Sequence, residues 1–220
     1  MIVLAIDTAG IDCSAAVYDS AAGKVLSAVS EEIGKGHAER LMAVIDQALA
    51  DAGKDLPSVD RVAVVIGPGS FTGIRVGVAA ARGFALSLGI ECVGVTTLEA
   101  LAAAYLADHP DKPVVVAMDA KRDEIYAQTF SAEGTALSEA AALSGDQVRR
   151  LVANAAAGVT GSWSSHLSGD TLETAPADRY DIGLVARIGA GKVAGEAKPK
   201  PLYLRGPDAK PQTGFALPRV

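Results

Sequence analysis

The sequence predicts an α/β protein of two lobes, each built around a sheet whose central strands are covered on both faces. Three observations carry this prediction. Short unbroken apolar runs (Ile2 to Ile6, Val62 to Ile66, Pro113 to Met118) have the pattern of central strands, with segments of helical period between them. The first half of the chain orders its elements as three strands, helix, strand, helix, strand, helix. A strand ending in Asp, a polar turn and a second strand then occur twice, roughly half the chain apart. The first copy runs from Val3 to Asp7 and on to Ser14–Tyr18, the second from Val115 to Asp119 and on to Glu124–Gln128.

Taken in order, Ile2 to Ile6 is a strand that stops at the turn Asp7-Thr8-Ala9-Gly10. Cys13 to Tyr18 and Lys24 to Ile33 alternate or are β-branched, with turn residues between them, and predict an antiparallel meander at one edge. From His37 to Ala52 the period becomes helical: Leu41, Ile45, Ala48, Leu49 and Ala52 share a face that Met42 and Val44 widen. Glu39 near its start suits the helix dipole. Glu91 to Val95 is a further strand and Thr97 to Ala107 a helix that ends before Pro110. The second half brings strands at Pro113–Met118 and Glu124–Phe130, then a capping box, Ser144-x-x-Gln147, opening a helix to about Ala155. Val159 to Trp163 reads as a short strand and Ile182 to Val193 as a helix. The tail from Lys198 to Val220, with Pro199, Pro201, Pro207, Pro211 and Pro218, is expected to be extended and partly mobile. The expected boundary separates a lobe over 1–108 from a smaller lobe over 109–220 that carries the tail. Such a duplicated arrangement is that of an actin-like or RNase H-like fold with mixed sheets.

The most informative stretch is Val62 to Leu88. Gly67-Pro68-Gly69 cannot continue a strand, and Ser70 or Thr72 can cap the helix that follows. Ile74, Val78, Ala81, Ala85 and Leu88 form one side of that helix. The others are nearly as apolar, with Val76, Gly77, Ala79, Ala80, Gly83 and Phe84; only Arg75 and Arg82 interrupt them. A helix apolar all round is buried all round. It is therefore either sandwiched inside its own domain or shared between the sheet and a partner subunit.

A formal net charge of −6 argues against a broad nucleic-acid surface but leaves room for a local basic patch. Cys13 and Cys92 share no metal or redox spacing and read as free thiols. Met1 leads straight into a short apolar run with no basic segment before it, so a soluble, cytoplasmic protein is expected. Asp7-Thr8 is a candidate vestigial phosphate or magnesium position, against the simpler reading of a turn that satisfies its own backbone. The Gly67–Ser70 turn lacks the lysine and spacing of a P-loop, and is expected to set the strand-to-helix angle. His37, His109 and His166 have no partner at metal-ligand spacing, and the polar cluster Asp119, Asp123, Glu124 fits a hairpin turn. Ser164 and Ser165 beside His166 are loop neighbours, not a triad. No catalytic residues, cofactor or metal stand out.

Five segments resemble the TsaB (YeaZ) family: Asp7–Val17, Gly36–Leu41, Gly67–Gly77, Asp119–Tyr126 and Pro201–Arg205. The specific one is G-P-G-S-F-T-G-I-R-V-G. The resemblance implies an actin-like ATPase (ASKHA) fold and a role in placing threonylcarbamoyl on the adenosine beside the anticodon of tRNAs that read A-starting codons. It implies a non-catalytic subunit that docks on and activates the transferase TsaD together with the ATPase TsaE. The resemblance implies that such a subunit meets tRNA only within that complex, and that its docking surface can close on a second copy when TsaD is absent. Relatives like TsaD carry His-x-x-x-His after the strand that follows the G-P-G helix; Thr97 and Leu101 stand there in this chain, and neither replaces an imidazole ligand. A metallopeptidase reading needs the same metal and falls with it. The interface positions expected from the resemblance are Leu41, Met42, Ile45, Leu49, Ile74, Val78 and Arg82, with Val78→Glu expected to abolish docking and leave the fold intact. The rival reading is an ATP-dependent small-molecule kinase of the same fold. Its glycine-rich loops are represented only by Gly189-Ala190-Gly191.

Overall fold

The computed structural model describes residues 1–155, 157–168, 178–193, 195 and 198–205. Its first sheet comprises β1 (Ile2–Asp7), β2 (Asp12–Asp19), β3 (Lys24–Glu32), β4 (Arg61–Val65) and β5 (Glu91–Val95), in the order β3-β2-β1-β4-β5. β1 pairs antiparallel with β2 and parallel with β4, and β4 pairs parallel with β5. The meander is thus the edge that the alternating pattern predicts, and the continuous apolar runs lie inside. Val3 to Ile6 and Val62 to Val65 have no exposed surface, as strands covered on both faces require.

Helices α1 (His37–Asp51) and α2 (Phe71–Leu88) cover one face of this sheet. Ser27 Oγ donates to the Ala48 carbonyl at 2.6 Å, tying β3 to α1. Ser70 caps α2, its hydroxyl accepting from the Gly73 amide at 3.2 Å. Although α2 is apolar enough by composition to cross a membrane, with mean hydropathy 1.2, it packs on β1, β4 and β5.

The second sheet repeats the first with one strand fewer. β6 (Val114–Asp119), β7 (Ile125–Phe130), β8 (Ala141–Leu143) and β9 (Gly158–Thr160) are ordered β8-β7-β6-β9, again with an antiparallel meander and one parallel neighbour. Asp7 and Asp119 end the two central strands at equivalent places. The repeated strand–Asp–turn–strand pattern is therefore a structural duplication, and the architecture is α/β with two mixed sheets. The capping box forms: the Ser144 amide donates to Gln147 Oε1 at 2.8 Å, and the Gln147 amide to Ser144 Oγ at 3.4 Å, opening α4 (Gly145–Ala155). A one-turn helix, α5 (Ser165–Ser168), follows β9. The strand expected over 159–163 ends at Thr160, because Gly161 turns the chain with φ +99°.

The expected boundary at 108/109 is corrected by packing. α3 (Thr97–Asp108), expected in the first lobe, places Leu98, Leu101 and Leu106 against Val114, Val116, Met118 and Phe130 of the second sheet. α6 (Ile182–Gly191), expected in the second lobe, covers the free face of the first sheet. A Cβ on Gly189 would lie 2.3 Å from the Ala63 Cβ, and one on Gly77 of α2 3.5 Å from Val64. Adjacent strand residues point to opposite faces, so α6 and α2 sandwich β4. The reason is chemical: α6 ends in small residues that let it settle closely on the sheet, and α3 presents its leucines away from it. The Pro-rich tail is pinned through residue 205, with the Leu202 amide donating to the Ile66 carbonyl at 2.8 Å. Pro207, Pro211 and Pro218 lie outside the described residues.

Candidate functional site

The two central strands end at Asp7 and Asp119, and the chain's own side chains engage both ends. Asp7 accepts the Ala9 amide and the Tyr180 hydroxyl, both at 2.7 Å. Burial pushes the Asp7 carboxyl above its ordinary range, against the lowering effect of these two hydrogen bonds, and burial raises the Tyr180 phenol well above its own. Tyr180 packs against the cores of both lobes. Its neighbours complete a strap. Asp178 accepts the Ser162 amide at 2.6 Å and the Ser162 hydroxyl at 2.8 Å, while Ser162 Oγ accepts the Asp119 amide at 2.9 Å. Arg179 pairs with Asp12 and Glu32, and Asp181 caps α6 through the Gly183 amide at 2.7 Å.

Thr8 is wholly buried and donates to the Gly73 carbonyl at 2.7 Å. The candidate phosphate role of Asp7 and Thr8 is corrected accordingly: both side chains are committed to internal hydrogen bonds. The Gly67–Ser70 turn rests on the same place, with the Ser70 amide bonding the Ala9 carbonyl at 2.7 Å. A Cβ on Gly69 would fall 2.4 Å from that oxygen and one on Gly73 1.9 Å from the Thr8 carbonyl, so glycine is required for the approach. This turn sets the angle between β4 and α2, as its sequence predicts.

Thr97 and Leu101 are buried; the Thr97 hydroxyl donates to the Pro68 carbonyl at 2.7 Å, and Leu101 is part of the second core. A hydroxyl so engaged and an aliphatic chain do not fit a metal site. Among the described residues, no three His, Cys, Asp or Glu side chains converge on one point.

The expected interface positions divide by helix phase. Leu41, Ile45, Leu49, Ile74 and Val78 are buried in the chain's own core, each at most 6% exposed, so these five are corrected: their side chains do not reach the surface. Met42 and Arg82 are exposed. Gly77, which the sequence offers as a point of helix approach, faces Thr8 instead. Among the exposed residues are Ala38, Met42 and Asp46 of α1, and Ala79, Arg82, Gly83 and Leu86 of α2, alongside charged ones such as Glu39, Arg40 and Arg75. Leu86 is 74% exposed, and a Cβ on Gly83 would meet nothing within 4 Å. Arg82 and Leu86 also border a depression of about 470 Å³ that reaches Cys92, where burial raises the thiol pKa to about 11. Sequence reasoning missed Leu86, because the interface positions on α2 were sought mainly on the stripe that packs on the sheet. It also missed Tyr180, which lies in no periodic segment.

Residues 25–174 match the family profile described as TsaD, tRNA N6-adenosine threonylcarbamoyltransferase. Two solved structures from Pseudomonas aeruginosa are similar. YeaZ has TM-score 0.60 and 31% identity, over 66% of this chain and 68% of that one. A protein with similarity to peptidase YEAZ has TM-score 0.76 and 28% identity, over 93% and 99%. The chain belongs to the TsaB (YeaZ) family. TsaB from Buchnera aphidicola is 38% identical over 57% of this chain and 58% of its own length, and TsaB from Haemophilus influenzae 35% identical over 56% and 51%. The match thus spans little more than half of each of these two curated relatives. Both bear the name tRNA threonylcarbamoyladenosine biosynthesis protein TsaB, and an uncharacterized Mycobacterium tuberculosis protein matches at 35% over 94% of its length.

Proposed function

We propose that this TsaB-family chain is a non-catalytic subunit that docks on TsaD through the outer faces of α1 and α2. There it stabilises the productive state of the transferase and acts with TsaE in threonylcarbamoyl transfer to tRNA in the cytoplasm. The observation that carries the reading is the second face of α2. One stripe of this helix serves the chain's own core, yet Ala79, Gly83 and Leu86 continue the apolar character outward, and Met42 is exposed on α1. An exposed leucine one turn from an open glycine suits a helix-on-helix contact. The committed state of Asp7, Thr8 and Tyr180 supports a non-catalytic role over that of a small-molecule kinase.

The test is tRNA modification in a reconstituted mixture of TsaC, TsaD, TsaE and ATP, with and without this chain. Product that appears only with the chain present, and is lost with Leu86→Glu, supports the reading. Equal product without the chain overturns it. Tight ATP binding by the chain alone would favour the kinase.

A further inference from the structure

Segment 198–205 belongs to neither sheet, yet it crosses the ends of both. Beyond the Leu202 contact with β4, the Tyr203 ring lies 5.4 Å from that of Phe71 at the start of α2. Arg75 joins them, its guanidinium carbon 3.7 Å from the Phe71 centroid and its Nε donating to the Tyr203 hydroxyl at 2.8 Å. Phe71 is 56% exposed and Tyr203 48%, which is unusual for two large rings on one surface patch.

Two residues further on, Arg205 pairs with Glu124 and donates to the carbonyls of Ala120 and Lys121 at 3.3 and 3.0 Å. It thereby fixes Lys121, Arg122 and Asp123, three consecutive non-glycine residues with φ of 63, 58 and 62°. A left-handed run of this kind is costly and persists where its surroundings enforce it, often at sites of function. The loop is thereby tied to the segment that carries Tyr203, two residues before Arg205. Lys121 pairs with Asp119 and Arg205 with Glu124, while Arg75 lies against the rings and Lys200, three residues before Tyr203, is exposed, on a chain whose net charge is −6.

We infer that this face binds single-stranded RNA, with unpaired bases stacking on Phe71 and Tyr203 and the surrounding cations meeting phosphates. The inference rests on the reading of the chain as part of a tRNA-modifying assembly, and adds that the chain itself touches the RNA. Half-exposed rings interleaved with arginine and lysine are the platform that unpaired bases use, since every base has a π-face. The proposed docking stripe, Ala79 to Leu86, lies further along α2.

The experiment is fluorescence anisotropy at low salt with the full chain, a labelled anticodon stem-loop RNA, and a matching duplex without a loop. The stem-loop is expected to bind about ten-fold tighter than the duplex, with Phe71→Ala and Tyr203→Ala each weakening it by about ten-fold. Lys200→Glu is expected to lower the slope of log K against log salt by about 1. No binding by the wild-type chain, equal binding of loop and duplex, or wild-type binding by the ring variants would each overturn the inference. So would a Tyr203→Ala chain that keeps RNA but no longer captures TsaD, which would make this face a protein contact. Docking is read separately, by TsaD capture with Leu86→Glu, so failure of either idea leaves the other visible.

Discussion

Val78 and Leu86 lie two turns apart on α2, and glutamate at each has opposite consequences. At Val78, 4% exposed, the charge enters the first core without a partner. The expected loss is 3 kcal/mol or more, on the order of a buried unpaired charge, read as a collapse of the urea midpoint. At Leu86 the expected change in stability is within about 0.5 kcal/mol, with TsaD capture lost. A Val78→Glu chain that keeps its midpoint and loses capture would return Val78 to the interface. Asp7 yields a prediction about pH. Its carboxyl is raised from 3.8 by burial, so the folded chain holds this proton more tightly than the unfolded one. Its contribution to stability is full below about pH 4 and is lost as pH rises through the folded pKa. Each tenfold weakening of the acid costs about 1.4 kcal/mol at neutral pH. Asp7→Asn should therefore flatten the fall in denaturation midpoint as pH rises above about 4. Tyr180→Phe removes a hydrogen bond that lowers the Asp7 pKa, and should extend that fall to higher pH. An unchanged profile in both variants would show that Asp7 ionises in the fold as it does unfolded.

At the scale of the element, the glycines of α2 separate by what they face. Alanine at Gly73 would put a Cβ 1.9 Å from the Thr8 carbonyl, so Gly73→Ala should be severely destabilising and break the Thr8 hydrogen bond. Alanine at Gly83 meets nothing and should raise stability by about 0.5–1 kcal/mol through helix propensity, seen in the thermal midpoint. If Gly83→Ala destabilises the isolated chain, this side of α2 is not open. Element type and extent were legible in the sequence, because the period and the punctuation by Gly, Pro and Ser are local properties. The inner stripe of α2 was legible too: Ile74, Val78, Ala81 and Ala85, which the period puts on one side, are buried. Which stripe meets a partner was not, because period separates the sides of a helix without saying what covers each. Five of the seven expected interface side chains, three on α1 and two on α2, proved to be core, while Leu86 was passed over. Asp7 and Thr8 show the same limit: a carboxylate and hydroxyl after a strand look alike whether they await a ligand or are committed to Tyr180 and Gly73.

At the scale of the molecule, the duplication was legible from two strands ending in Asp, but the exchange of helices between lobes was not. Which sheet a helix joins depends on the path of its connections, and α3 and α6 each carry enough apolar surface for either choice. The exchange predicts that a fragment of residues 1–108 cannot fold cooperatively. It would leave the face of β1 and β4 that α6 covers open to water, and leave α3 without its second-sheet partners. Circular dichroism and urea titration of the fragment should show no sharp transition. A cooperative one would mean that α6 is dispensable to the first sheet.

The strap before α6 has a further consequence for how the protein is made. The Tyr180 bond to Asp7 joins residues 173 apart in sequence, and α6 follows directly after it. While the ribosome is still adding the second lobe, the first strands already exist but lack the helix that closes over them. The N-terminal half must therefore wait, with apolar β1 and β4 incompletely covered, until four-fifths of the chain has emerged. Such late, long-range closure slows folding and lengthens the time in which a chaperone is needed. Synthesis rate and chaperone supply, as well as the stability of the fold, then bear on the yield of folded chain.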